Sequence, residues 1–438
     1  MPAVMRERGQ PRRDVRIGEY QAADLADDEL TAVDLDRLRA LAGRGALTVS
    51  QTRTGWRVRA DAVVGVLVLD RVRLAIEPKF VMTGEQVITW LCYALATPVP
   101  HKTTSRRWTT SPDGFADLVA RALVDECRQL LRAGLRRDYV RQELTMTVLR
   151  GQLDLGTQIA RRYGQVDRLH VHAFERDQAI WENTLCGLAL RKAARLARDP
   201  ELARSAADTA AQFPSPAPHV PATVLLRQAA YTRLNARYRP AHAWAELLLT
   251  GGGVVDLFVH DGHSADSLLM RMNTLWETAV RRLAESAARS LGGRLTPTGG
   301  TQAITVRGDL NQGSTFRPDV LVSLPTDTGT SPAGGSAVQL LPVDAKYKRY
   351  DTKAVGADDL HQLLTYTAGY TPNGTGRVMI VHPSARGHVR RTIAISGPHG
   401  RLAALDVVGI DIAGPPETGA VWLRSTIAES SPSPRETH

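Results

Sequence analysis

The sequence predicts a multidomain α+β protein: a β-rich N-terminal domain, a helical middle, and a C-terminal α/β domain with a mixed central sheet flanked by helices. Three observations predict it. At 438 residues the chain is longer than one ordinary core organises. Short apolar and β-branched runs fill residues 15–80, and apolar steps of three and four residues fill the stretch after it. From Leu268 onward, long helical patterns alternate with compact apolar strands, as they do in α/β layers.

In order along the chain, residues 1–13 read as a disordered basic arm. Leu47-Thr48-Val49 and Trp56-Arg57-Val58 flank a turn, Val63 to Leu69 is an apolar run, and Val72 to Ile76 alternates until Pro78 stops it. One helix, about Asp34 to Ala42, interrupts this small barrel or sandwich. Val87 to Leu95, Phe115 to Leu135 and a segment from near Asp177 to Leu196 carry helical periodicity. The proline-rich stretch from Gln212 to Thr223 is a loop, and Gly251 to Gly253 with the following DGHSADS segment reads as a hinge. Leu268 to Leu283 forms a long amphipathic helix. Phe316 to Leu324 and Val338 to Tyr347 are strands joined by the flexible TDTGTSPAGGSA loop. Asp358 caps a helix running through Leu360, Leu363, Leu364 and Tyr366, and Val378 to Val381 is a buried strand halted by Pro383. The expected boundaries are 1–105, 106–262 and 263–425, with a disordered tail over 426–438.

No apolar run reaches the roughly 18 residues of a membrane span, and the N-terminus lacks the apolar core of a secretory signal, so a cytoplasmic protein is expected. Cys92, Cys127 and Cys186 are too far apart for a disulfide framework and read as buried free thiols. The net charge of +10 favours a polyanionic partner such as DNA. The lysines are Lys79, Lys102, Lys192, Lys346, Lys348 and Lys353; every other basic side chain, histidine aside, is arginine. Three lysines between positions 346 and 353 therefore suggest work that a guanidinium does not do.

The chemistry is concentrated in FRPDVLVSL, LLPVDAKYK and DDLHQLLTYTAGY. Phosphodiester hydrolysis needs a divalent metal that polarises the phosphate and acidifies a water. Magnesium accepts hard oxygen donors and keeps several of its waters, so one or two carboxylates suffice. Asp319 on one strand and Asp344 on the next can meet if the strands pair antiparallel. Asp344 and Lys346, two apart, project from one face of a strand, which puts the ammonium beside the water or the developing phosphorane charge. Three charges on apolar strands are costly without a function. Gln362 and Tyr366, one helical turn apart, share a face that can hold a phosphate and support the carboxylates. Glu277 on the long helix can add a carboxylate from another element. His170 and His172 read as packed or surface histidines, nothing fixes a role for His382, and Arg136-Arg137, Arg161-Arg162 and Arg390-Arg391 read as solvated faces, with contact to DNA backbone the alternative.

Glu277, Arg317-Pro318-Asp319, Asp344-Ala345-Lys346 and Gln362 through Tyr366 resemble the ordered motifs of the PD-(D/E)XK nuclease superfamily. More narrowly, RPDVLV, VDAKYK and the run from Asp359 to Tyr366 resemble the McrC family, the nuclease subunit of the McrBC modification-dependent restriction system. Gly65 to Leu67 with Ile76 to Phe80, Leu149 to Asp154, and Phe174 to Asn183 are similar to that family's earlier segments. The resemblance implies a Mg2+-dependent DNA endonuclease, with Mn2+ a possible substitute. It also implies metal-holding Asp319, Asp344 and Glu277, with Lys346, Gln362 and Tyr366 completing the catalytic set. The implied partners are DNA, possibly methylated, and a hexameric AAA+ GTPase or ATPase of McrB type docked on the N-terminal portion; no membrane is involved. The absence of a GxxxxGK[ST] loop agrees that any motor is another polypeptide. Two other readings stay open: a non-catalytic DNA-binding activator of an AAA+ motor, and a stand-alone RecB-like repair nuclease.

Overall fold

The computed structural model describes residues 13–96, 115–165, 167–197, 199–214, 221–227, 229–250, 258–259, 268–306, 314–330, 336–371 and 376–429. The expected basic arm, the hinge at Gly251 to Gly253 with its DGHSADS segment, and the tail beyond Glu429 lie outside them, apart from Arg13.

The N-terminal domain is β-rich, as expected. Strands β1 (Arg13–Gly18), β2 (Ala22–Ala26), β3 (Leu47–Gln51), β4 (Gly55–Ala60), β5 (Val63–Val68) and β6 (Val72–Glu77) surround helix α1 (Ala32–Gly43). Thr31 and Asp34 start that helix as a reciprocal capping box. The anticipated hairpin is β3–β4, with Val49 opposite Val58.

The middle is less helical than its periodicity suggests. Helices α2 (Gly84–Leu95) and α3 (Phe115–Arg132) precede β7 (Asp138–Met146), β8 (Gln152–Leu153), α4 (Leu155–Arg162) and β9 (Leu169–Asp177). The three strands form a sheet of order β7-β9-β8. Helices α5 (Trp181–Leu196), α6 (Pro200–Ala211), α7 (Ala222–Arg227) and α8 (Arg239–Thr250) follow. Cys92, Cys127 and Cys186 are free and buried, as expected.

Strands β10 (Phe258–Val259) and β11 (Leu268–Arg271) return to the first domain. They complete a sheet of order β1-β6-β5-β11-β10. The expected helix from Leu268 therefore begins four residues later, as α9 (Met272–Ser290). Its first apolar residues divide between two cores: Leu269 packs with the N-terminal domain, whereas Met270 packs with the middle helices. Alternate burial on both faces is a strand's pattern, and this sheet is the wall between the two cores.

The last domain is built on strands β12 (Arg294–Thr296), β13 (Ile304–Val306), β14 (Ser314–Phe316), β15 (Val320–Thr330) and β16 (Ser336–Ala345). Helix α10 (Ala357–Tyr370), strands β17 (Arg377–Ser384), β18 (Val389–Gly397) and β19 (Gly400–Asp411), and helix α11 (Pro416–Ala428) complete it. The main sheet has the order β12-β15-β16-β17-β19-β18. Strands β16, β17 and β19 run parallel, and the outer pairs are antiparallel. Val320, Val322, Met379 and Val381 face α9 and α11, while Leu321, Val378 and Ile380 face α10. Burial on both faces explains the unbroken apolar runs.

Four expectations are corrected here. The glycine- and serine-rich loop largely extends the β15–β16 hairpin, with an irregular register between Pro325 and Thr330. Pro383 lies inside β17 and does not end it. Strand β16 stops pairing at Ala345 opposite Val381, so on that side no ladder bond awaits the missing proline N–H. Helix α10 is capped by Gly356 without a side-chain bond, so Asp358 is a first-turn residue. Helix α11 runs through Thr426 and Ile427, both buried, so these belong to the fold and not to a tail.

Candidate active site

The site forms at the carboxyl end of β16, beside parallel β17, where open α/β sheets leave a crevice. The register brings the two aspartates together. Val320 pairs with Val343 across antiparallel strands, so the next residues outward, Asp319 and Asp344, stand side by side. Asp319 immediately precedes β15, because Ser314–Phe316 forms a separate strand against Ile304–Val306. Its Oδ2 accepts a 2.7 Å hydrogen bond from the Ala345 amide, while the Arg281 guanidinium on α9 donates to its carbonyl.

Asp344 is 1% exposed. The Lys346 ammonium stands 2.9 Å from its Oδ2, an ion pair. No other donor is within reach of that oxygen. Lys346 also donates to Gln362 Oε1 at 2.8 Å, and its backbone is tied to Val381 by a 3.0 Å bond. Gln362 Nε2 donates to the Tyr366 hydroxyl, which donates to the Arg317 carbonyl, both at 2.7 Å. One face of α10 thus joins the lysine to the segment that carries Asp319.

The electrostatics follow from burial and crowding. Burial, then the charges of Asp344 and Glu277, push Asp319 up to about 7 against the Ala345 amide and Lys346. Burial alone would depress the Lys346 ammonium, but Asp344, with Asp359 and Asp319 behind it, holds it above the usual lysine value. Glu277 lies outside this hydrogen-bonded set and acts on Asp319 through its field. Among the described residues no three His, Cys, Asp or Glu side chains close into a ligand cluster.

Asp359 opens the McrC-like run but has no role in the site expected from the sequence. It is 6% exposed and sits 3.6 Å from Lys346 and 2.7 Å from Lys348, and it also accepts from the Tyr350 hydroxyl. Burial would raise its pKa, but donation from Lys348 and Tyr350 holds it below the usual carboxylate range. Its spacing of three and seven residues from Gln362 and Tyr366, which places it on their helix face, was the available signal.

The donor set fits a hard divalent cation. The buried Asp344 carboxylate adjoins the half-buried Asp319, one Asp344 oxygen has only the Lys346 ammonium beside it, and no soft ligand is part of the set. His382 is buried against Tyr350, its pKa lowered by burial, and its Nδ1 lies 3.0 Å from the Pro383 carbonyl, the geometry of a packed neutral histidine. His170 bonds Arg162 at 3.0 Å, and His172 lies 3.5 Å from Asp154. Arg136 and Arg390 are not solvated faces: Arg136 pairs with buried Glu182 at 2.7 Å, and Arg390 lies 3.5 Å from buried Asp406.

The family model described as the McrBC 5-methylcytosine restriction system component matches residues 58–383. The chain belongs to that family. No curated protein matches. Among solved structures, the half-complex of Thermococcus gammatolerans McrB AAA+ hexamers with bound McrC contains a chain similar to this one. The two align over 95% of this chain and 99% of the other, at 16% identity and a TM-score of 0.63. At that identity the likeness establishes a shared fold. The cryo-EM structure of the Thermococcus gammatolerans McrBC complex aligns over 62% of this chain and 86% of its own, at 18% identity and a TM-score of 0.44. For this McrBC-family chain, no described helix is long and apolar enough to cross a membrane.

Proposed function

We propose that this McrC-like chain is the DNA endonuclease subunit of a modification-dependent restriction system, of PD-(D/E)XK type and magnesium-dependent. The observation that carries it is the buried Asp344 carboxylate beside Asp319, one oxygen of which meets only the Lys346 ammonium. Asp319 and Asp344 would hold the ion, with Glu277 adding negative charge from α9. Bound magnesium supplies Lewis acidity toward a phosphate oxygen and a water. Lys346, aimed by Gln362, stabilises charge developing on the phosphate, and its donors leave room for a water oxygen or a phosphate oxygen. Tyr366 fixes Gln362 and, through Arg317, the segment leading to Asp319. Sequence-independent affinity for DNA comes from the net charge of +10.

The partner would be a hexameric AAA+ GTPase or ATPase of McrB type. The resemblance puts its seat on the N-terminal portion, where the large apolar side chains facing solvent, Tyr20, Val33 and Val81, are scattered. Helix α4 offers more. None of its residues is buried, and Leu155 and Ile159, one turn apart, are 62% and 59% exposed, with Tyr163 exposed just past its end. We place the motor's seat on this face.

The test is cleavage of methylated and unmethylated plasmid, with and without Mg2+ and the partner. Wild-type chain should cut with Mg2+ and partner, while Asp344→Ala and Lys346→Ala should fold, bind the partner and not cut. Full cutting by both variants would sink the proposal, and efficient cutting by the chain alone would favour a stand-alone nuclease.

A further inference from the structure

A cleft of about 560 Å³ opens between the N-terminal domain and the segment that follows β16. Tyr20 and Lys79 form one wall, and Lys348, Arg349, Tyr350 and Lys353 the other. Four of the six thus carry positive charge, supplied by two domains distant in sequence. The one carboxylate at the rim is Asp359, already engaged by Lys346, Lys348 and Tyr350.

Lys79 is built in. Its ammonium donates to the Tyr347 carbonyl and lies 4.1 Å from that ring's centre and 5.1 Å from Tyr20's. The Arg349 guanidinium donates to the Lys79 carbonyl, closing the two walls together. Glu19, buried behind, binds the Lys79 amide at 2.7 Å and the Tyr347 hydroxyl at 3.1 Å. Burial lowers the Lys79 pKa to about 8; Glu19 opposes this, and Arg349, Lys348 and Lys353 add to it. Mutually repelling cations held in one cleft gain most from an anion that bridges them. Lysine is the suitable side chain, because an ammonium binds phosphate as a point charge without the planar match that a guanidinium demands.

We propose that this cleft is a phosphodiester subsite, which holds the DNA backbone next to the phosphate cut at Asp319 and Asp344. The phosphate chemistry rests on the cleft itself, and the identity of the ligand as DNA rests on the nuclease reading. Adjacency follows from Asp359: Lys346 and Lys348 approach its two carboxylate oxygens, so a single carboxylate separates the catalytic lysine from the cleft. A strand leaving the centre past Asp359 would enter the cleft lined by Lys348, Arg349, Lys353 and Lys79. The first domain would thereby contribute to the grip on DNA, and its placement against the nuclease layer would tune cutting. A free nucleotide offers the same phosphate chemistry, and the experiment separates the two sources.

The test uses the full chain, metal withheld, and a short duplex whose binding is followed by anisotropy across a salt series. Lys353→Ala at the exposed rim and Lys79→Gln should each lower the slope of log affinity against log salt by about one. Lys79→Arg should restore most of the affinity if charge is what matters. Duplexes carrying a single neutral methylphosphonate at successive positions should lose affinity at one position in the wild type, and that loss should vanish in Lys353→Ala. Unchanged slopes and an unchanged linkage profile in both lysine variants of a chain that still cuts would overturn the subsite and leave the nuclease intact. Lowered slopes in a chain that never cuts would support the subsite and remove the nuclease reading. Competition by GTP or ATP that Lys353→Ala abolishes would assign the cleft to a nucleotide and overturn the DNA assignment.

Discussion

Lys346 donates to Gln362 across 2.8 Å, and this bond ties helix α10 to the candidate centre. A lysine on a strand end has several rotamers, and only a fixed acceptor keeps its ammonium beside Asp344. Gln362 is fixed in turn by Tyr366, which is 2% exposed.

Gln362→Ala should therefore lower kcat by about 10- to 100-fold, as removal of an orienting partner does at metal centres, with little change in KM. Tyr366→Phe should cost about 1–3 kcal/mol of stability, because the Gln362 amide and the Arg317 carbonyl lose a partner in a part-buried setting. Single-turnover kinetics and denaturant unfolding check the two. An unchanged kcat in Gln362→Ala would remove α10 from the catalytic account.

Asp319 should give the protein its pH dependence near neutrality. Its folded pKa of about 7 lies above the ordinary carboxylate value of 3.8. The folded chain therefore binds more protons than the unfolded chain between those values, and its metal-free stability falls as pH rises through that window. Asp319→Asn should stabilise the metal-free protein at pH 8 by about 1 kcal/mol or more, while abolishing cutting. Wild-type cutting at limiting Mg2+ should fall as pH drops below about 7, since protonation of Asp319 competes with the metal. More Mg2+ should shift that limb toward lower pH. Thermal melts and rate–pH profiles at two metal concentrations check both statements.

Helix α4 can be tested separately from the chemistry. Leu155→Asp and Ile159→Asp alter solvent-facing side chains and should leave the melting temperature within a degree or two. Each should reduce stimulation of the motor's nucleotide hydrolysis by at least tenfold if the helix is buried in the complex. Equal stimulation by wild type and both variants would return the docking surface to the N-terminal domain.

The sequence by itself determined which side chains gather at the candidate centre. Asp344 and Lys346 two apart, Asp319 one apolar strand earlier, and Gln362 and Tyr366 one turn apart are spacings that strand and helix geometry turn into a common direction. The same local periods located the β3–β4 hairpin, strands β5, β6 and β15 to β17, and helices α1, α2, α3, α5, α9 and α10, but not β7 to β9, β18 or β19. They failed where a residue's partners lie far along the chain. Leu268–Arg271 continues a helical pattern, yet it becomes a strand because β5 supplies a ladder that no local signal announces. Pro383 reads as a stop, yet it is tolerated because β16 has already ended. Asp359 and Lys79 reach the centre and its cleft only when α10 and the first domain pack against the segment after β16. Burial and the field of neighbouring charges are sums over the folded molecule, so the raised pKa of Asp319 was decided by tertiary structure alone.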